Sequence, residues 1–162
     1  MDHFGRLDVL INNAGISLNE EGISGHALQT AYQDVFAVNI FGAALTTEAF
    51  IPLLSVSTAP RIVFMSSSLG SLAERWGNPV VLPIYRSSKA ALNMLMLHYA
   101  MKYKDDRWKV NASCPGYCAT NLNAYSGYDT PENGALNAVR LAILGEDGET
   151  GTFSNKEGVI AW

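Results

Sequence analysis

The sequence predicts an α/β protein with a doubly wound parallel sheet. Residues 7–11 and 61–65 are short, almost continuous apolar runs, which is typical of parallel strands covered on both faces. Longer segments with helical spacing separate these runs from each other and from a third strand candidate at residues 108–114. Alternation of strands and helices builds a parallel sheet with right-handed crossovers, so this pattern determines the fold class.

The first half of the chain contains two strand candidates and one helix. The strand at residues 7–11 ends in a turn at residues 12–15, and the polar residues 16–26 predict a loop. A helix follows because apolar residues recur at spacings of three and four. These residues are Leu28, Ala31, Val35, Val38, Phe41, Leu45 and Ala49. Pro52 lies near the predicted end of this helix, and the strand at residues 61–65 ends in three serines.

The second half repeats the alternation. Residues 69–83 contain two prolines and two glycines and predict a loop that leads into a helix over residues 85–104. The third strand candidate stops at Pro115-Gly116. Thr130 followed by Pro131 is typical of a helix N-terminus, which predicts a helix to about residue 144. Residues 158–162 predict a final short strand.

Composition excludes several classes of function. The chain has 162 residues, enough for one domain, and its 48% apolar and 16% charged content is ordinary for a globular protein. The net charge is −4 and no basic cluster is present, so neither a nucleic-acid nor an anionic-membrane surface is predicted. Cys114 and Cys118 lack the spacing of a zinc site or a disulfide framework and predict free thiols in a reducing compartment.

The beginning of the chain carries no apolar signal segment, and we find no apolar run of transmembrane length. We therefore expect a cytoplasmic protein without a membrane partner, and we predict no metal site.

Polar residues follow each predicted strand at its carboxyl end, where open parallel sheets bind their ligands. The helix at residues 85–104 begins nearby with Tyr85-Arg86-Ser87-Ser88-Lys89. Positions i and i+4 share a helix face, so the phenol of Tyr85 and the ammonium of Lys89 are expected to be neighbours. A nearby cation lowers the pKa of a phenol, which makes Tyr85 a candidate general acid/base.

In this order, the motifs resemble those of the classical short-chain dehydrogenase/reductase family. They are Asn12-Asn13-Ala14-Gly15, Val38-Asn39, Ile62-Val63-Phe64-Met65-Ser66-Ser67, Tyr85-Arg86-Ser87-Ser88-Lys89, and Pro115-Gly116 with Thr120. The resemblance implies a Rossmann-like sheet and an NAD(P)-dependent oxidoreductase that acts on a small carbonyl or alcohol substrate. NADP is mildly preferred over NAD.

The resemblance also implies catalytic roles for four residues. Tyr85 would exchange a proton with the substrate oxygen, and Lys89 would lower the pKa of Tyr85 and hydrogen-bond the nicotinamide ribose. Ser67 would hold the substrate oxygen, and Asn39 would anchor a water that links Lys89 to solvent. Taken singly, each of these residues has an equally good structural explanation, so the prediction rests on their combination.

Further residues are implied in cofactor binding, together with Tyr85 and Lys89. Asn13, Ala14 and Gly15 would line the cofactor cleft, where a glycine allows close approach of backbone. Pro115, Gly116, Cys118 and Thr120 would form the other wall, with Thr120 facing the carboxamide or the phosphates. Many family members carry valine or isoleucine at the position of Cys118.

The glycine-rich turn that holds the pyrophosphate in this family has no counterpart in the sequence. We therefore predict that residues 1–162 form a single partial domain, a Rossmann-like sheet truncated at its amino-terminal half. The first strand would then lie at an unpaired edge, and we expect marginal stability or dependence on a partner.

Two other functions remain open. The chain could be catalytically silent and act as an interaction module that pairs with a second copy or with a full-length relative. The resemblance implies that pairing would use the helices at residues 28–54 and 85–104. An epimerase or dehydratase of the extended branch would share the Tyr-x-x-x-Lys motif, but Asn-Asn-Ala-Gly and Pro-Gly disfavour it.

Overall fold

The computed structural model describes residues 4–75, 77, 79 and 81–162, which form a five-stranded sheet covered by helices. The strands are β1 (Val9–Asn12), β2 (Arg61–Met65), β3 (Lys109–Ser113), β4 (Phe153–Asn155) and β5 (Gly158–Val159). They lie side by side in chain order. The first four are parallel, and β5 returns antiparallel to β4.

Helices connect the parallel strands. They are α1 (Gly25–Phe36), α2 (Ala43–Leu54), α3 (Leu72–Arg75), α4 (Pro83–Lys102) and α5 (Pro131–Ala142). A wider π-helical turn, Ala37–Gly42, joins α1 to α2, so that residues 25–54 form one continuous helix. Short 3₁₀ turns occur at Ser68–Gly70 and Asn121–Asn123.

The side chains of β2 show that both faces of the sheet are covered. Ile62 and Phe64 belong to a core cluster with Leu54 of α2 and with Leu92 of α4. Val63 points to the opposite face, where it packs with residues of α5. Successive strand residues alternate between the faces, so a fully apolar strand requires helices on both sides. The predicted fold class is confirmed.

The boundaries of the elements differ from prediction in three places. The first helix begins at Gly25 and continues past Pro52 to Leu54. The predicted loop at residues 69–83 contains a 3₁₀ turn and α3, although part of this prediction, at residues 76, 78 and 80, lies outside the described residues. The final strand covers only Gly158–Val159 rather than residues 158–162.

Strand β4 was not predicted at all. It has three residues and pairs with β3 only through Ala112–Phe153 and Ser113–Ser154. A segment this short shows no periodicity of its own. Pairing with β3 and burial of Phe153 create the strand.

The helix Gly25–Leu54 is long and apolar enough to cross a membrane by length and composition, with a mean hydropathy of 1.5 in its most apolar window. Our expectation that no run approaches this length was therefore wrong. Length and composition do not distinguish a membrane span from a core helix, and this helix buries Val35, Asn39, Thr47 and Leu54. It is weak evidence for a membrane location.

Strand β1 lies at one edge, and within the described residues it pairs only with β2. Its carboxyl end is held by Asn12, whose amide donates to the hydroxyl of Thr47 in α2 at 2.9 Å. Because this bond is buried, the turn that follows β1 is fixed relative to the helix behind it.

Candidate active site

Tyr85 and Lys89 lie one turn apart near the beginning of α4, as the sequence predicted. The Lys89 Nζ atom is 5.6 Å from the centroid of the Tyr85 ring. Both side chains are buried, with 8% and 4% of their surface exposed. Lys89 Nζ also donates to the backbone carbonyl of Met65 at 2.8 Å, at the carboxyl end of β2. A single ammonium therefore links α4 to the sheet.

Ser67 joins this pair from the end of β2. Its hydroxyl is hydrogen-bonded to the phenol of Tyr85 and also accepts the backbone N–H of Leu69 at 3.2 Å. The neighbouring Cys114 thiol, at the end of β3, accepts the N–H of Ser68 at 3.2 Å. The ends of two adjacent strands thus bring a hydroxyl and a thiol beside the phenol.

Close packing at Gly70 holds the turn after Ser67 against α4. A Cβ atom at position 70 would lie 2.7 Å from the backbone carbonyl carbon of Lys89. This distance is too short for any side chain unless the backbone moves. Because residue 70 is glycine, the turn that carries Ser67 can lie directly on the helix that carries Tyr85 and Lys89.

Asn39 is fully buried in the π-helical turn between α1 and α2. Its Oδ1 accepts the Ile16 N–H at 2.8 Å, and its Nδ2 donates to the Ile16 carbonyl at 3.0 Å and to Ser88 Oγ at 2.9 Å. Ser88 in turn donates to the carbonyl of Tyr85 at 2.7 Å. Asn39 therefore links the loop after β1 to α4, while its water-anchoring role stays a prediction.

Burial shifts the pKa values of both Tyr85 and Lys89. Burial raises the pKa of Tyr85 to about 12, although its hydrogen bond with Ser67 acts in the opposite direction. Burial lowers the pKa of Lys89 to about 8. The sequence predicted that Lys89 would lower the pKa of Tyr85. In this structure the direction is opposite, because loss of hydration disfavours the phenolate more than the surroundings favour it.

The lowered pKa of Lys89 predicts a stability that rises with pH. The pKa of Lys89 is about 8 in the folded chain and has its ordinary value of 10.5 in the unfolded chain. Below about pH 8 Lys89 is therefore protonated in both states. Between these two pKa values only the unfolded chain keeps the proton. The free energy of unfolding of the unsubstituted protein should therefore increase with pH. Its difference from that of Lys89→Met should grow by about 2 kcal/mol between pH 7 and pH 10. Urea unfolding of both proteins across this range measures the difference.

Lys104→Met is the matched control, because Lys104 is an exposed lysine just after the end of α4. It shows what the loss of an exposed lysine does to the free energy of unfolding without the burial of Lys89. Tyr85 acts in the opposite direction above about pH 10, where the unfolded chain ionises its tyrosine while the pKa of Tyr85 in the folded chain is about 12. Both proteins contain Tyr85, so its contribution cancels from the Lys89→Met difference. A Lys89→Met difference that does not change between pH 7 and pH 10 would contradict the shift.

The turn after β1 lies against Lys89. Asn13 and Ala14 are exposed, and a Cβ atom at Gly15 would lie 3.3 Å from Lys89 Nζ and 3.5 Å from Asn39 Oδ1. Bare backbone therefore faces the ammonium directly. A hydroxyl group of a ligand could therefore accept from the ammonium while it lies against backbone that carries no side chain.

A cavity of about 500 Å³ opens on the other side of Ser67. Its apolar and aromatic lining includes Leu82, Tyr117 and Tyr128. Tyr117 and Tyr128 meet edge to face with ring centroids 5.9 Å apart. The lining also includes the charged residues Asp129, Lys156 and Glu157. A hydroxyl that lies between a buried phenol and a partly apolar cavity is suited to orient a small carbonyl compound.

The residues predicted after β3 are placed near this cavity but are held by local contacts. Pro115 and Gly116 line the cavity, and Gly116 has a φ of +79°, which favours glycine. The thiol of Cys118 donates to the carbonyl of Pro115 at 3.2 Å. Thr120 forms a reciprocal cap with Asn123 at the second 3₁₀ turn. Their roles towards a cofactor remain predictions.

Three groups at the site were not predicted from sequence. They are Ser88, the Cys114 thiol and Glu20, whose carboxylate contacts the beginning of α4. Ser88 lies inside the Tyr-x-x-x-Lys motif and could have been proposed from its position. Cys114 could have been proposed as a residue at the end of a strand. Glu20 lies in a polar loop, and no local signal marks it.

Comparison with known proteins identifies relatives over nearly the whole chain. A family model described as short chain dehydrogenase matches residues 1–130. The short-chain dehydrogenase/reductase ATR10 of the fungus Stachybotrys chlorohalonatus is 41% identical over 98% of this chain, which spans 62% of that relative. The (+)-neomenthol dehydrogenase of Capsicum annuum is 33% identical over 93% of the chain and 70% of its own length.

Solved structures of reductases also superpose on nearly the whole chain. The carbonyl reductase from chicken fatty liver, solved with NADPH bound, superposes with a TM-score of 0.78 at 29% identity. That match covers 98% of this chain and 67% of the other. Salutaridine reductase from Papaver somniferum superposes with a TM-score of 0.77 at 28% identity, over 93% of this chain and 73% of that one.

Proposed function

The chain belongs to the short-chain dehydrogenase family, and on that premise we propose that it is an NAD(P)-dependent oxidoreductase that interconverts a carbonyl group and an alcohol. The observation that carries this proposal is the cluster of the buried Tyr85 and Lys89 with the half-buried Ser67, between the turn at Gly15 and the cavity. The chain spans about 62% of the length of the fungal relative it matches. The activity of this polypeptide is therefore stated as a proposal.

Each residue of the cluster has one task. The phenol of Tyr85 transfers a proton to or from the substrate oxygen, and the Ser67 hydroxyl holds that oxygen. Lys89 and the backbone at Gly15 hold the nicotinamide ribose, with Asn13 and Ala14 along the cleft and Thr120 on the opposite wall. When bound, the cofactor supplies or accepts the hydride. Asn39 keeps the loop after β1 against α4.

The protonation state of Tyr85 favours reduction. Burial raises the pKa of Tyr85 to about 12, so the phenol is protonated at neutral pH and can donate to a carbonyl oxygen. NADPH is our preferred cofactor, because the chicken carbonyl reductase is described with NADPH bound and a Shigella flexneri neighbour with NADP. We propose a cytoplasmic location for the enzyme.

Titration of the chain with NADPH and NADH tests the proposal. We expect quenching or enhancement of cofactor fluorescence with a micromolar dissociation constant and a melting temperature that rises with cofactor concentration, since a ligand that binds only the folded state stabilises it. Gly15→Ala should weaken binding about tenfold, because its Cβ would crowd Lys89 Nζ at 3.3 Å. Gly145→Ala is the control, since a Cβ there meets open space.

A specific observation favours the alternative of an interaction module. Several large apolar side chains are exposed on the continuous helix and on α4, the most exposed being Phe41, Leu45, Met94 and Met101. Exposed apolar residues on adjacent helices are typical of association surfaces, here with a second copy or a full-length relative. If neither cofactor binds and the chain sediments as a dimer, the oxidoreductase proposal is wrong for this polypeptide and the interaction role is favoured.

A further inference from the structure

The catalytic helix begins without a cap of its own. Leu82, which precedes the first turn, has the left-handed φ of +51° and makes no capping hydrogen bond. Pro83 follows at the first helical position and, as a proline, has no backbone N–H that would need an acceptor. The N–H groups of Ile84 and Tyr85 therefore need acceptors from another part of the chain.

Glu20 provides both acceptors. Its Oε2 accepts the N–H of Ile84 at 2.8 Å, and its Oε1 accepts the N–H of Tyr85 at 2.9 Å. The two oxygens of one carboxylate thus hold two consecutive amides of the first turn, although Glu20 is 64 residues away from Ile84 in sequence. A negative charge at a helix N-terminus is also favoured by the dipole of the helix.

We propose that Glu20 is a positioning residue for Tyr85, which it holds in place by capping α4 from the loop after β1. Its effect on turnover rests on the function proposed above, whereas its effect on the position of Tyr85 does not. Charge-assisted hydrogen bonds are about twice as strong as neutral ones, so this contact fixes the first helical turn more firmly than an ordinary cap would.

The same loop contacts the rest of the cluster. Gly15 lies beside the ammonium of Lys89, and Ile16 pairs with the side chain of Asn39. Four residues further on, Glu20 holds the backbone of Tyr85. One short segment therefore sets the distance between the cofactor cleft and the phenol. Displacing it at Glu20 should move Tyr85 relative to Ser67 and Lys89.

The test compares Glu20→Ala and Glu20→Gln with Glu21→Ala. Glu21 is the exposed neighbour whose backbone N–H, at 3.2 Å, donates to Asn19, so this control changes an adjacent acidic side chain. Amide hydrogen exchange at Ile84 and Tyr85 should become about tenfold faster in Glu20→Ala. Glu20→Gln keeps one acceptor oxygen and should fall between Glu20→Ala and the unsubstituted protein.

A second readout reports the position of the phenol itself. The ring carbon resonances of labelled tyrosine, assigned with Tyr85→Phe, show whether Tyr85 ionises below about pH 11, which it should not do to any large extent in the unsubstituted protein. Burial holds the pKa of Tyr85 at about 12. A phenol that leaves its site gains hydration, so its pKa should fall towards 10 in Glu20→Ala and stay unchanged in Glu21→Ala. The neighbours of the phenol, Ser67, Lys89 and Cys114, are the same in every variant.

The outcomes separate the two proposals. Faster exchange at Ile84 and Tyr85 together with a lowered Tyr85 midpoint supports the positioning role, whether or not the chain turns over a substrate. Faster exchange with Tyr85 still largely protonated at about pH 11 would mean that Glu20 stabilises the helix end only, and the positioning role would be overturned. Unchanged exchange would overturn the cap as well. Absence of cofactor binding in the unsubstituted protein counts against the proposed function alone.

Discussion

Tyr85→Phe is expected to lower kcat for carbonyl reduction by about 10² to 10⁴-fold, the range that a positioned general acid contributes. The substitution removes only the hydroxyl, which is hydrogen-bonded to Ser67, and leaves the buried ring in place. Lys89 and the Gly15 backbone, which hold the nicotinamide ribose in our proposal, are untouched. Oxidation of NADPH in the presence of a panel of small ketones and aldehydes measures kcat and KM separately.

Tyr99→Phe is the matched control for this substitution. Tyr99 is a second buried phenol of α4, 2% exposed, and it donates to Glu48 at 2.8 Å instead of contacting Ser67. Its loss should reduce stability by about 1 kcal/mol and leave kcat unchanged. If Tyr85→Phe retained more than about a tenth of the turnover, Tyr85 would not be the group that transfers the proton.

Much of this site follows from local pattern. The i, i+4 spacing placed Tyr85 and Lys89 on one face of a helix, and the polar ends of the apolar strands placed Ser67 and Gly15 at one edge of the sheet. Both inferences need only the period of a helix or the rule that parallel strands end together. For the same reason, β2, which is apolar throughout, predicted helices on both faces.

The features of the site that the sequence did not predict depend on contacts between segments far apart in the chain. Glu20 and Ile84 are 64 residues apart, and no period or motif relates a polar loop to the start of a helix. The direction of the Tyr85 pKa shift was mispredicted for a related reason. The i, i+4 rule gives the neighbouring cation, whereas the burial that dominates the shift in the Tyr85 pKa comes from elements packed around it.

Arg61 is a further example of a role that only the fold reveals. It begins β2 in an otherwise apolar run, yet it is only 3% exposed. Its guanidinium donates to four backbone carbonyls, those of Pro60, Arg107, Leu144 and Gly145. Leu144 and Gly145 follow the carboxyl end of α5, where carbonyls lack partners within the helix and favour a cation.

Arg61→Met should therefore lower the free energy of unfolding by about 3 kcal/mol or more, because buried carbonyls lose charge-assisted hydrogen bonds that methionine cannot replace. Urea unfolding at neutral pH measures the loss, with Arg107→Met as the control, since the Arg107 side chain is exposed and only its backbone carbonyl contacts Arg61. Domains of this size are stable by roughly 5–15 kcal/mol, so the effect should be visible as a large shift of the midpoint. An Arg61→Met protein as stable as Arg107→Met would show that apolar packing of methionine compensates for the lost hydrogen bonds. The guanidinium would then not be what holds the end of α5 to the sheet.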